Sequence, residues 1–192
     1  LRQGKPVVLA ASTHAGEEAL IATAIREAGA FPLIVPRHAE RRATVVADLQ
    51  QAGFTPILRT AGEIPADIQP DTCYVADTTG ELREWTALAD AVVIGKSFLA
   101  KGGQNPVEAI AARKPVVIGP DMTNFADLIT LLKNDDAILS CTAEELGATI
   151  AQALDGSEAT AARVERAYHA LNVHSGATRR SVELVETLYG AA

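Results

Sequence analysis

Ala91-Val92-Val93-Ile94-Gly95 and, seven residues further on, Gly102-Gly103-Gln104-Asn105-Pro106-Val107-Glu108-Ala109 form the stretch on which the fold turns. The first part is apolar and of strand length. The second begins with two glycines, which let the backbone turn sharply and let another group come close. Asn105 suits a helix N-cap, and Pro106 suits the first helical position. Strand, Gly-rich loop and helix therefore follow in that order. The free N–H groups of such a helix start suit a phosphate or a carboxylate. Glu108, three residues after Asn105, either accepts hydrogen bonds from a ribose or completes an Asn-x-x-Glu capping box that needs no ligand.

The same order recurs along the chain. Strand-like runs are Pro6–Ala11, Phe31–Val35, Thr55–Leu58, Thr72–Ala76, Ala91–Gly95, Pro115–Ile118 and Ala137–Ser140. Most are short and rich in Val and Ile, as in a sheet covered on both faces. Helical patterns lie between most of them, over Glu17–Ala28, Ala39–Ala52, Glu81–Ala89, Pro106–Arg113 and Asn124–Lys133. Gly29 and Gly53 suit the position just past a helix end. Thr142-Ala143-Glu144-Glu145 reads as a capping box opening a helix to about Leu154. Residues 157 to 189 read as a helical tail with a break near Asn172–Gly176, and Ala61–Pro70 is the one unassigned connection. The alternation predicts an α/β fold over residues 1–192: a single domain with a doubly wound, mostly parallel sheet.

Composition narrows the function. The net charge is −7, and no dense basic stripe offsets it, which argues against a nucleic-acid partner. An anionic ligand must then be held by local positive features. Cys73 and Cys141 lie in or beside apolar runs and read as buried thiols. No residues show metal-ligand spacing, so no metal is expected. The longest apolar stretches are well short of a membrane span, and Leu-Arg-Gln-Gly-Lys-Pro at the start is no signal peptide.

In open α/β sheets, ligands bind beyond the carboxyl ends of the strands. Ser12–Gly16, Pro36–His38, Asp77–Gly80, Gly95–Asn105 and Gly119–Asn124 each follow a strand-like run, so they should gather along one edge. Ser12 and Thr13 bind phosphate there or cap the first helix. His14 is a candidate contact. Arg37 binds a phosphate or carboxylate, or pairs with Glu40. His38 donates to an anion or caps the next helix. Thr79 and Gly80 offer N–H groups ahead of a helix, where Glu81 favours the dipole. Asn124 is an N-cap and a contact. Lys96 and Lys101 are read as solvated, and Trp85 and Phe98 as isolated.

Five segments, Ala11-Ser12-Thr13-His14-Ala15-Gly16-Glu17-Glu18, Pro36-Arg37-His38-Ala39-Glu40-Arg41, Asp77-Thr78-Thr79-Gly80-Glu81-Leu82, Gly102–Glu108 and Gly119–Phe125, occur in the order found in one family. Together they resemble the C-terminal half of the bacterial 3-deoxy-D-manno-octulosonic acid (Kdo) transferases, over about residues 5 to 190. Gln104 departs from the family pattern, where His is expected; so does Lys96, where the family is richer in glycine.

The resemblance implies the Rossmann-like half of a GT-B glycosyltransferase, which moves Kdo from CMP-Kdo to a lipid A precursor in lipopolysaccharide biosynthesis. It implies donor contacts from Ser12, Thr13, His14, Arg37, His38, Thr79, Gly80, Gly102, Gly103, Asn105, Glu108 and Asn124, and no cofactor. The catalytic residues are not assigned, because the general base is expected in an N-terminal acceptor domain that this chain lacks. Beginning abruptly at a strand, the chain reads as a split or excised donor half, inactive alone. The parent enzyme is expected at the cytoplasmic face of the bacterial inner membrane, peripheral or singly anchored, with this domain soluble. Two alternatives are the C-terminal domain of another GT-B enzyme, a UDP-sugar transferase or epimerase, and a non-catalytic flavodoxin-like binding module.

Overall fold

Val7–Thr13 forms β1, the centre of a sheet whose strands are apolar on both faces. The structure is a computed structural model and describes residues 4–62 and 68–173, together with Glu186. Helix α1 (Glu17–Glu27) leads to β2 (Phe31–Pro36). Helix α2 (Arg42–Gln51) and β3 (Thr55–Leu58) precede β4 (Thr72–Val75). Then come α3 (Leu82–Leu88), β5 (Ala91–Ile94), α4 (Val107–Ala111) and β6 (Val116–Ile118). The chain continues through α5 (Ala126–Asn134), β7 (Leu139–Ser140), α6 (Leu146–Ala153) and α7 (Glu158–Val173).

The sheet order is β3-β4-β2-β1-β5-β6-β7, and every pairing is parallel. Strands β2 and β5 flank β1, so the chain reverses direction across the sheet there. Such a reversal opens a crevice at the carboxyl edge. Successive residues of β1 feed two cores. Val7 and Leu9 pack with Ile110 of α4, Leu132 of α5 and Ala167 of α7. Val8 and Ala10 pack with Ile21 of α1, Leu49 of α2 and Ile150 of α6. Helices on both faces explain why the strands carry no polar side.

All seven expected strands form, and the α/β fold is doubly wound and Rossmann-like. Helices α1 and α2 end as the glycines predict. Gly29 and Gly53 take φ of 76° and 78°, and the next N–H groups, of Ala30 and Phe54, reach back to Ile25 and Leu49. Three helix starts differ from expectation. Ala39–Arg41 and Thr123–Phe125 are single 3-10 turns ahead of α2 and α5, so Asn124 sits inside a turn and not at an N-cap. Glu145 accepts the Thr142 N–H at 3.0 Å, but the regular helix begins only at Leu146. Of the connection Ala61–Pro70, residues 63–67 lie outside the described residues, as does the expected tail beyond Val173 apart from Glu186.

Candidate functional site

The loops after β1 and β5 meet at the reversal point, and one side chain joins them. Glu17 is fully buried. Its Oε2 accepts the backbone N–H of His14 at 3.0 Å and of Lys96 at 2.5 Å. Its Oε1 accepts those of Ser97 and Phe98 at 3.0 Å each, and of Leu99 at 3.4 Å. A row of N–H groups of this kind is an anion-binding concavity. Here its occupant is the protein's own carboxylate. Gly95 is required beneath it, because a Cβ there would lie 2.6 Å from Ser12 O. Ser12 and Lys96 both adopt left-handed backbone, with φ of 56° and 58°.

Two further acids are structural. Glu18 is fully buried and accepts from Arg41 Nη1 at 2.8 Å and from the Thr13 hydroxyl at 3.0 Å. Thr13 is itself fully buried, so its hydroxyl serves the scaffold. Asp77 accepts the Thr60 N–H at 2.9 Å, the Thr60 hydroxyl at 2.6 Å and Arg42 Nη1 at 3.2 Å. Burial pushes the Asp77 carboxyl up, but these hydrogen bonds outweigh it and hold the group below the usual carboxylate range. Sequence reading assigned no role to Glu17, Glu18 or Asp77 beyond their motifs. Cys73 and Cys141 are buried free thiols, and burial pushes Cys73 up to about 12.

The glycine pair is explained by packing. Gly102 and Gly103 take φ of 109° and 70°. A Cβ on Gly102 would lie 2.5 Å from Asn124 Nδ2, and one on Gly103 2.3 Å from Met122 Sδ. The group that comes close is therefore the loop after β6. The N–H groups here are also committed: Gly102 to Asp121 Oδ1 at 2.9 Å, Gly103 to Lys96 O at 2.9 Å and Gln104 to Gly95 O at 3.1 Å. The N-cap of α4 is Pro106, one residue later than expected, and it has no side-chain cap; Asn105 Oδ1 instead accepts the Val107 N–H, two residues on, at 3.0 Å. The reciprocal half of the box is missing: among the described residues Glu108 makes no hydrogen bond to Asn105. It lines a groove between α3 and α4 with Arg83 and Lys114.

The cationic side of the site comes from β1, β2 and β5. Arg37 is exposed, its N–H bonded to Thr13 O at 3.0 Å. Its guanidinium has no ion pair among the described residues, and Glu40 lies instead 3.7 Å from His38 Nδ1. The rings of His14 and His38 meet edge to face, centroids 6.2 Å apart. His14 Nε2 is 3.1 Å from Gln104 Nε2, which joins the Gly-rich loop to the β1 loop. Desolvation lowers the His14 pKa, and nearby Lys96 lowers it further.

Beside these groups is a cavity of about 120 Å³ lined by Ser12, Arg37, Thr79, Gly80 and Trp85. Trp85 packs on Tyr74 with ring centroids 5.4 Å apart, and so forms a wall that its isolated place in the sequence did not reveal. Thr79 and Gly80 are exposed at the cavity mouth, while the Thr78 hydroxyl donates to Glu81. Ser12, His14, Arg37, His38, Thr79 and Gly80 thus share one edge around β1 and β2. Asn105 follows Gln104 at the start of α4 and Asn124 covers Gly102, whereas Glu108 lines the separate groove between α3 and α4. A larger cavity, about 680 Å³, is at the opposite edge among Pro6, Asp90, Arg113 and Leu154, and contains no expected site residue. Among the described residues no group of three or more His, Cys, Asp or Glu side chains is placed to hold a metal ion.

No protein-family model matches the chain. The 3-deoxy-D-manno-octulosonic acid transferase of Bordetella pertussis is 37% identical over 203 residues, covering 97% of this chain and 46% of its own length. The solved C-terminal CMP-Kdo binding domain of WaaA from Acinetobacter baumannii is 30% identical, with a TM-score of 0.78 over 88% of this chain and 90% of that one. The chain belongs to the Kdo transferase family. It spans about half the length of the curated relatives it matches. The spinosyn rhamnosyltransferase SpnG, with a TM-score of 0.59 at 17% identity, shares the fold alone; it covers 95% of this chain and 46% of its own. Lys96 and Gln104 both lie beside His14.

Proposed function

We propose that residues 1–192 are the donor-binding domain of a two-domain Kdo transferase, which moves Kdo from CMP-Kdo to a lipid A precursor in lipopolysaccharide biosynthesis. One observation carries this reading: the chain matches, over nearly the whole of both, a solved domain named for CMP-Kdo binding. Arg37, which makes no ion pair among the described residues and lies beside a small cavity at the sheet's carboxyl edge, supports it.

The reaction is a displacement at the anomeric carbon of Kdo. The bond from that carbon to the phosphate oxygen breaks, and a bond to an acceptor hydroxyl forms. The hydroxyl proton passes to a base in the N-terminal domain of the parent enzyme. The leaving CMP gathers negative charge, and fixed donors aimed at that charge lower the barrier. Arg37, with its fork of donors, is placed for the phosphate. Ser12, His14, His38, Thr79 and Gly80 line the same edge, and Glu108 is free to accept from the ribose hydroxyls. Thr13, Gly102, Gly103, Asn105 and Asn124 act through the shape of the loops.

Among the described residues no helix is long and apolar enough to cross a membrane. The parent enzyme acts at the cytoplasmic face of the inner membrane, with the lipid acceptor held mainly by its other domain. Calorimetric titration of the chain with CMP, UDP and an unrelated nucleotide tests the assignment. CMP should bind weakly but preferentially, and the isolated chain should transfer no Kdo. Tighter binding of UDP than of CMP, or turnover by the chain alone, would overturn it.

A further inference from the structure

We infer that Lys96 is a donor-binding residue whose ammonium group takes an anionic oxygen of the nucleotide sugar, phosphate or sugar carboxylate, where the β1 and β5 loops meet. The inference rests on the donor-binding reading above and adds a residue to it.

Its backbone is the first observation. Lys96 holds φ at 58°, a left-handed conformation that is disfavoured for a residue with a Cβ and freely adopted by glycine. Such strain in a non-glycine residue points to a use for the side chain. The second observation is charge. Lys96 is half-buried and has no ion pair among the described residues. Of the other cations at this edge, Arg41 pairs with Glu18, Arg42 with Asp77 and Arg59 with Glu81, and Arg37, like Lys96, has no ion pair among the described residues. Glu17 is the nearby acid, but both its oxygens are taken by backbone N–H groups.

That same occupancy decides where an anion can bind. The N–H row of residues 96–99 is filled by Glu17, so a phosphate or carboxylate arriving at the reversal point finds no backbone donors there. The side chains remain. Lys96 and His14 are held together because their N–H groups share Glu17 Oε2. Gln104 then fixes the imidazole from the other side at 3.1 Å. An anion seated there would come within reach of the Lys96 side chain, which makes no ion pair among the described residues.

The test compares Lys96→Gly, Lys96→Met and Lys96→Arg in the full chain, with cytidine, CMP and CMP-Kdo as ligands in calorimetry. Lys96→Gly relieves the strained backbone, so its Tm should stay level or rise by a few degrees. If the phosphate is the partner, Lys96→Gly and Lys96→Met should weaken CMP and CMP-Kdo by about tenfold and leave cytidine unchanged. If the sugar carboxylate is the partner, CMP should be unchanged and CMP-Kdo about tenfold weaker. Lys96→Arg should retain most of the affinity in either case. Wild-type affinity for both CMP and CMP-Kdo in the Gly and Met variants would overturn the inference and leave the donor-binding reading standing. A fall in Tm of both variants without loss of affinity per folded molecule would assign Lys96 to the scaffold, and overturns it equally. If the wild-type chain binds neither ligand, the donor-binding reading itself fails.

Discussion

Glu17 Oε2 accepts the backbone N–H of Lys96 at 2.5 Å, across 79 residues of sequence. This contact ties the first helix to the loop after β5 and sets the floor of the crevice. The carboxylate does what a bound anion does in other loops of this shape, so the loop is built before any ligand arrives. Pre-formed sites spend less binding energy on ordering themselves.

Replacing Glu17 with Ala leaves the N–H groups of His14 and of residues 96–99 without their acceptor. Each buried donor left unsatisfied costs about 1–3 kcal/mol, and water entering the space recovers part of that. A loss on the order of 3 kcal/mol is expected in urea unfolding. A loss below about 1 kcal/mol would show that the latch contributes little.

Glu108 makes no capping hydrogen bond, which separates its two readings. Glu108→Gln should leave stability within about 0.5 kcal/mol, as at other surface positions. If its carboxylate holds the ribose, CMP affinity should fall by roughly 1–2 kcal/mol in calorimetry. Unchanged affinity would remove Glu108 from the donor site.

The Asp77 carboxyl sits below its usual range in the folded chain. A depressed acid stabilises the fold above its unfolded pKa, near 3.9, and that contribution fades as pH falls through the folded value. The wild type should therefore lose stability on acidification below about pH 4. Asp77→Asn should be about 2 kcal/mol less stable at pH 7 and should lose less over the same acid range. Parallel pH–stability curves for the two proteins would contradict the assignment.

The strands were legible because a sheet covered on both faces needs unbroken apolar runs, and Val7–Ala11 or Ala91–Ile94 can serve nothing else in a chain of this charge. The ends of α1 and α2 were legible because Gly29 and Gly53 act locally. The strand order was not: β4 inserts between β3 and β2, and no local signal records that. Nor was the purpose of Gly102 and Gly103. Their spacing permits a ligand, but the close neighbours are Asn124 and Met122, which only the fold brings near. Glu17 escaped for the same reason, since an acidic residue in a first helical turn has a local explanation already. Arg37 was legible as a cation following β2; that it makes no ion pair among the described residues emerged from the structure alone.

On this reading the donor sits at the carboxyl edge of the sheet around β1. Amide chemical shifts of the isotopically labelled chain, followed through a CMP titration, test it most directly. Changes should concentrate at residues 12–14, 37–38, 78–81, 95–97, 104–105 and 107–108, with little change elsewhere. Shifts concentrated instead around Pro6, Asp90, Arg113 and Leu154, the lining of the larger cavity at the opposite edge, would contradict it.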